Sequence, residues 1–176
     1  MIILTEDHKY IVDGKVTPGV NEILEDLGFQ DKRWMKPEHA ERGKVVHTLC
    51  DEYDREGKFP SGDYNGYVVA WAQFMEDSKY TWESIEVMMA HPLGYAGTID
   101  RYDKTNNAVV DIKTGSHLQW HYYQLVAYAE MVGATEGVMV YINRDASYKM
   151  VTFPIDRYRK HWEYILGCYK VKHYAR

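Results

Sequence analysis

The chain has 176 residues, 45% of them hydrophobic and 14% aromatic, enough for one domain with its own core and too much for a disordered segment. A formal net charge of −5 argues against a nucleic-acid binder that works by charge alone, and leaves such a role to local basic clusters or bound cations. Cys50 and Cys168 lie far apart without a C-x-x-C partner, which argues against a zinc ribbon, an iron–sulfur cluster and a disulfide framework.

The opening Met1-Ile2-Ile3-Leu4 breaks at once into Thr5-Glu6-Asp7, too short for a signal peptide, and nothing approaches a membrane span. A cytoplasmic protein away from the membrane is expected. Tyr10 to Val16 reads as a small hairpin turning at Asp13-Gly14. Thr17-Pro18-Gly19 opens a short helix with Val20, Ile23, Leu24 and Leu27 on one face and Gly28 as its stop. A second helix is expected from about Pro37 to Glu56, ended by Gly57, and a third from Tyr64 to Ser78.

The pattern then changes period. Ser84 to Ala90, Tyr95 to Tyr102 and Ala108 to Lys113 read as three strands, with Asn106-Asn107 turning between the last two. Ser116 is the expected N-cap of a helix running to Val132 and closed by Gly133. Gly137 to Asn143 and Tyr148 to Phe153 give two more strands, and a last helix follows Pro154 with Asp156 as its cap. The order predicts an α/β fold with a mixed central sheet flanked by helices. It is expected to form a single domain: residues 1–80 mostly helical with the small hairpin, 84–153 the sheet and helix that carry the chemistry, and 154–176 a C-terminal helix.

The densest chemistry lies in Gly97-Thr98-Ile99-Asp100 and, eleven residues on, Asp111-Ile112-Lys113. Side chains alternate along a strand, so Asp111 and Lys113 project together while Ile112 enters the core. A hairpin brings Asp100 beside that pair. Two carboxylates and an ammonium at one point suit a hydrated divalent cation, magnesium or manganese, acting on a phosphodiester. Asp-x-Lys alone reads as an ordinary ion pair on a sheet; its neighbours change that reading.

Those neighbours are Arg42-Gly43-x-x-x-His47, where His47 offers a neutral nitrogen ligand and Gly43 suggests close approach of another backbone. Gln124 and Tyr128 are one turn apart on the helix after the Asp-x-Lys strand and point the same way. Glu86 is either a further acidic ligand or a solvent-facing strand residue. Lys32-Arg33 with Lys36, Arg42 with Lys44, and Arg157, Arg159 and Lys160 are the basic clusters available for a DNA grip.

Arg42-Gly-x-x-x-His47, Gly97-x-x-Asp100, Asp111-x-Lys113 and Gln124-x-x-x-Tyr128, in this order over roughly residues 40 to 130, resemble the RecB-like branch of the PD-(D/E)XK nuclease superfamily. The opening Tyr10 to Leu24 is also similar to small exonucleases of phages and of mitochondrial genome maintenance. The resemblance implies a restriction-endonuclease-like αβββαβ core preceded by N-terminal helices. It implies Asp100, Asp111, the carbonyl of Ile112 and His47 as metal ligands, with Glu86 at the family's further acidic position. Lys113 would be the catalytic lysine, and Gln124 and Tyr128 would hold the DNA backbone or the site geometry. One or two magnesium or manganese ions would be the cofactor.

Arg42, Arg101, Thr114, Ser116, Trp120 and Tyr123 are the candidate DNA contacts: cations and helix-start groups for phosphates, aromatics for unpaired bases. The chain departs from the family's commoner pattern in carrying Asp at position 111 where Glu is usual. It also lacks a helicase motor and room for a sequence-reading domain. The expected activity is therefore a DNA exonuclease of phage-type replication or recombination, acting on single- or double-stranded ends beside a single-strand-binding or annealing protein. A structure-specific or nicking endonuclease is the alternative, and a non-catalytic DNA-binding accessory protein a further one.

Overall fold

The structure, a computed structural model, describes residues 1–31 and 36–174; Lys32 and Arg33 of the first basic cluster lie outside the described residues. Three short strands open the chain: β1 (Ile2–Leu4), β2 (Tyr10–Val12) and β3 (Lys15–Thr17), all antiparallel. The β2–β3 turn has Asp13 at φ 48° and Gly14 at φ 79°, the two left-handed residues that a tight hairpin turn needs. Helices α1 (Val20–Asp26), α2 (Pro37–Glu56) and α3 (Asn65–Asp77) follow; Pro37 starts α2 and Gly57, at φ 67°, stops it.

The main sheet has the order β4 (Ser84–His91), β5 (Tyr95–Asp103), β6 (Ala108–Lys113), β7 (Glu136–Ile142) and β8 (Tyr148–Pro154). β6 and β7 run parallel, joined over one face by α4 (Trp120–Val132); every other pairing is antiparallel, and α5 (Asp156–Tyr174) ends the described chain. This is an α/β fold with a mixed central sheet, as the element order predicts, and its core is restriction-endonuclease-like, as the resemblance implies.

Alternation along β6 explains how two cores flank one sheet. Ala108, Val110 and Ile112 pack with Val46 and Cys50 of α2 and Val68, Trp71 and Phe74 of α3. Val109 faces the other way, into a core with α1, α4 and α5. Asp111 and Lys113 share that second face, at the end of the strand.

Residues 2–4, to which the sequence pattern assigns no element, form a strand by pairing with β2. Two expectations are corrected. Ser116 is not a helix cap: α4 begins four residues later, with Gln119 at the N-cap position, so Ser116 lies in the loop leaving β6. A Cβ on Gly43 would meet nothing within 4 Å, so no backbone packs against it; the tight glycine of the motif set is Gly97, where a Cβ would lie 2.5 Å from the Tyr128 ring. Among the described residues no helix is long and apolar enough to cross a membrane.

Candidate active site

The site forms where β5 and β6 part. Their ladder runs from Asp103↔Ala108 to Arg101↔Val110 and stops there. Beyond it, the carboxylate of Asp100 replaces the missing strand partner: Oδ2 accepts the N–H of Ile112 at 2.9 Å. The β4–β5 ladder is interrupted at the same level. Ile85↔Arg101 and Val87↔Ile99 pair in one register, but Glu86 between them sits at φ 50°, a left-handed conformation rare for a non-glycine residue in a strand.

The face alternation also breaks here. Gly97 meets Tyr128 of α4 and Ile99 joins the α4 core, yet Arg101, of the same parity, faces α2 and α3. The irregular backbone therefore re-aims both acidic side chains of the 86/100 level.

His47 of α2 closes the group. Its Nε2 lies 2.9 Å from the carbonyl oxygen of Ile112, which can only accept, so Nε2 carries a proton. Nδ1 then faces Asp100 Oδ2 at 3.4 Å and Glu86 Oε1 at 3.7 Å. One ligand atom from each of His47, Glu86 and Asp100 lies within 4.8 Å of the others. A backbone carbonyl that sets the tautomer of a histidine and turns its other nitrogen inward is the usual support of a metal-binding imidazole. Burial works against a charge on His47, but Asp100, then Glu86 and Asp111, outweigh it and hold its pKa up at about 9. The donor set of one imidazole and two carboxylates fits a divalent cation.

Asp111 and Lys113 stand beside this trio. Lys113 Nζ lies 2.5 Å from Asp111 Oδ2 and donates to Gln124 Oε1 at 2.8 Å. Asp111 is 2% exposed, and its Oδ2, despite that ion pair, has no hydrogen bond of good geometry. Burial pushes its carboxyl above the usual range and Asp100 adds to this, while Lys113 offsets part of it. Gln124 Nε2 donates to Asn21 Oδ1 at 2.7 Å and to the Tyr128 hydroxyl at 3.3 Å. The motif glycine has its reason here, since only a residue without a Cβ at 97 lets the Tyr128 ring lie against β5.

Two hollows meet at the site, sharing Gly43 and His47. One, of about 510 Å³, is lined by Arg42, Lys113, Thr114, Ser116, Leu118 and Trp120 among others; the second, of about 550 Å³, by His8, Lys44, Asp51 and Glu86. Arg42 Nη2 donates to the Thr114 carbonyl at 3.1 Å, tying α2 to the loop after β6. Half-buried Trp120 lies 5.6 Å from Lys113 Nζ. Burial, with Lys113 and His117 nearby, pushes the pKa of His121 at the same wall down to about 3, and its Nδ1 lies 2.8 Å from the Tyr141 hydroxyl.

The structure thus brings His47, Glu86 and Asp100 together as the donor group, and sets Asp111, Lys113, Gln124 and Tyr128 next to it. The Ile112 carbonyl accepts from His47 Nε2–H with one of its two lone pairs. Arg42, Thr114, Ser116 and Trp120 line the groove. Two candidates do not reach it. Tyr123 is buried against Phe29, Tyr158 and His161 on the α5 side of α4. Arg101 has no exposed surface, because Nη2 bonds Asp51 at 2.5 Å, Nε bonds Asp54 at 2.7 Å and Nη1 bonds the Asp100 carbonyl at 2.7 Å.

Asp51, Asp54 and Asn21 are residues that sequence reasoning missed. The first two carried a signal, since His47, Asp51 and Asp54 recur at i, i+4 and i+7 on α2, a polar stripe on a face that otherwise buries Val46 and Cys50. Asn21 carried none.

The fold and the site define the class: a restriction-endonuclease-like α/β fold with an acidic group at its strand split. No protein-family model matches the chain, and no curated protein matches its sequence. Among solved structures, a protein of Eubacterium rectale provisionally named an exonuclease superposes with a TM-score of 0.52 at 15% identity, covering 88% of this chain and 72% of that one. An alkaline exonuclease of Laribacter hongkongensis gives a TM-score of 0.48 at 10% identity over 89% and 87% of the two chains. A phage-related exonuclease of Haemophilus somnus gives 0.43 at 9% over 89% and 94%. The first of these likenesses shows a shared fold.

Proposed function

We propose that the chain is a divalent-metal-dependent deoxyribonuclease that hydrolyses phosphodiester bonds from free DNA ends. The observation that carries this reading is the convergence of His47, Glu86 and Asp100 from three separate elements, beside the buried Asp111–Lys113 pair and in a groove. His47, Glu86 and Asp100, with Asp111 beside them, would hold a magnesium or manganese ion, which would supply Lewis-acid polarisation of the phosphate and a more acidic water.

The chain's own residues do the rest. Lys113, paired with Asp111 and oriented by Gln124, places its amine end where negative charge grows on the phosphate. His47 and Asp100 hold the β6 backbone through the Ile112 carbonyl and amide, which ties the His47 and Asp100 side chains to the strand that carries Asp111 and Lys113. Thr114 and Ser116 offer hydroxyls to flanking phosphates, and Trp120 offers a ring to an unpaired base.

The name of the Eubacterium rectale protein supports the exonuclease branch. A phage-type replication or recombination role, beside a single-strand-binding or annealing protein, is the setting taken from the motif resemblance.

The test is digestion of end-labelled linear DNA, single- and double-stranded, and of a closed circle, with magnesium or manganese. Wild type and Lys113→Ala are run side by side. Loss of linear DNA with the circle spared and the variant inactive supports the reading; a cut circle moves it to an endonuclease, and no cutting at all sinks it.

A further inference from the structure

Lys113, Gln124 and Asn21 form a hydrogen-bonded chain whose chemistry allows one arrangement. The Lys113 ammonium has donors only, so the Gln124 atom it meets at 2.8 Å is the amide oxygen. The Gln124 nitrogen must then face the other way, where Asn21 Oδ1 accepts at 2.7 Å; the Tyr128 hydroxyl at 3.3 Å is the weaker partner.

Gln124 is 5% exposed, so water offers its amide little alternative satisfaction. A half-turn of that amide would put its NH2 against the ammonium and leave Lys113 with the Asp111 carboxylate as its remaining partner. Asn21 lies in the first turn of α1, which is pinned to β5 by the Gly19↔Ala96 bridge and by the Ala96 N–H bond to the Pro18 carbonyl at 3.0 Å. The acceptor is thus fixed by an element outside the motif-bearing sheet and helix.

We infer that Asn21 is a positioning residue: it locks the Gln124 amide with its oxygen on Lys113 and so ties the N-terminal helix to the lysine of the site. The inference rests on the nuclease reading above. Asn21 touches no reacting group in this arrangement; its effect passes entirely through Gln124. Asn21 itself is exposed and belongs to neither core, so its replacement leaves the two cores intact.

The test measures single-turnover cleavage of end-labelled linear DNA at saturating manganese for Asn21→Ala, Asn21→Asp, Gln124→Ala and the Asn21→Ala/Gln124→Ala pair, with melting curves for each. Asn21→Ala is expected to slow the bond-breaking step about tenfold, the scale of a slightly misplaced group, with DNA affinity and melting temperature unchanged. Asn21→Asp, which keeps an acceptor oxygen, restores the rate to within about twofold. In the Gln124→Ala background Asn21→Ala adds nothing, as a relay through one residue demands.

A wild-type rate for Asn21→Ala, an equal loss in both backgrounds, or a loss confined to DNA affinity overturns the inference while the nuclease reading stands. An inactive wild type overturns both.

Discussion

Asp100 accepts the backbone N–H of Ile112 through Oδ2 at 2.9 Å, across the gap where β5 and β6 part. One carboxylate thereby does two jobs: it replaces a lost sheet hydrogen bond and stands in the donor group with His47 and Glu86. The two roles separate by substitution. Asp100→Asn keeps an acceptor oxygen for Ile112 and removes the charge; Asp100→Ala removes both and strands a buried amide, at about 1–3 kcal/mol. In chelator, Asp100→Asn is expected to melt no lower than wild type and Asp100→Ala clearly lower. Both are expected to lose the manganese-induced rise in melting temperature and the nuclease activity proposed for the wild type.

Proton linkage gives the second prediction. The pKa of His47 in the fold, about 9, lies above its ordinary 6.5. Its contribution to stability is therefore complete below pH 6.5 and is lost as pH rises through about 9. Asp111, whose carboxyl is also raised, acts in the same direction at lower pH. Without metal the protein is expected to lose stability from mildly acid to alkaline pH. Metal requires a neutral His47, so binding releases a proton, and manganese affinity should rise about tenfold per pH unit between 6.5 and 9. Calorimetric titration in buffers of different ionisation heat counts that proton. Affinity flat over this range would remove His47 from the ligand set.

Much of this site was legible because its residues sit on regular elements. Asp111 and Lys113 obey strand alternation, Gln124 and Tyr128 obey the helix turn, and Gly57 and Gly133 stop their helices in left-handed conformations. What was not legible depends on departures from regularity. The left-handed Glu86 and the parity break at Asp100–Arg101 send Arg101 into the α2–α3 side, so its adjacency to Asp100 in sequence suggested a groove contact that burial forbids. Gln124's partner Asn21 is 103 residues away, and no local pattern announces such a pair. The late start of α4 was hidden because Ser116 satisfies the local rules for a cap, and the competing turn at Leu118 and Gln119 is set by bonds to His121 and Tyr122.

Arg101 carries the third prediction. Its guanidinium is fully buried between Asp51 and Asp54 with Trp71 5.6 Å away, and Asp54 also accepts from the Trp71 indole at 2.8 Å. Removing one partner of such a network leaves buried charge uncompensated, at about 3–5 kcal/mol. Arg101→Met is expected to lower the melting temperature strongly, and Arg101→Lys to recover little, since an ammonium cannot reproduce a fork held at three points. The salt dependence of DNA binding should be unchanged in whatever fraction of Arg101→Lys folds; a reduced salt slope would instead make Arg101 a phosphate contact.

The two motif glycines should respond to alanine in opposite ways. At Gly97 a Cβ would sit 2.5 Å from the Tyr128 ring, so the strand or the ring must move, at about 1–3 kcal/mol, and Tyr128's bond to Gln124 is disturbed with it. Gly97→Ala is expected to melt lower and to cut DNA more slowly. At Gly43 a Cβ meets nothing within 4 Å, and the position is interior to α2, where alanine is favoured over glycine by about 1 kcal/mol. Gly43→Ala should therefore melt higher than wild type. Gly43 also borders both hollows of the groove, so the added methyl narrows the floor on which DNA is proposed to lie. Tighter folding with weaker DNA binding, read by melting and by fluorescence anisotropy of a labelled DNA end, is the expected pair of outcomes. A Gly43→Ala protein that binds DNA as well as wild type would place the substrate elsewhere than across α2.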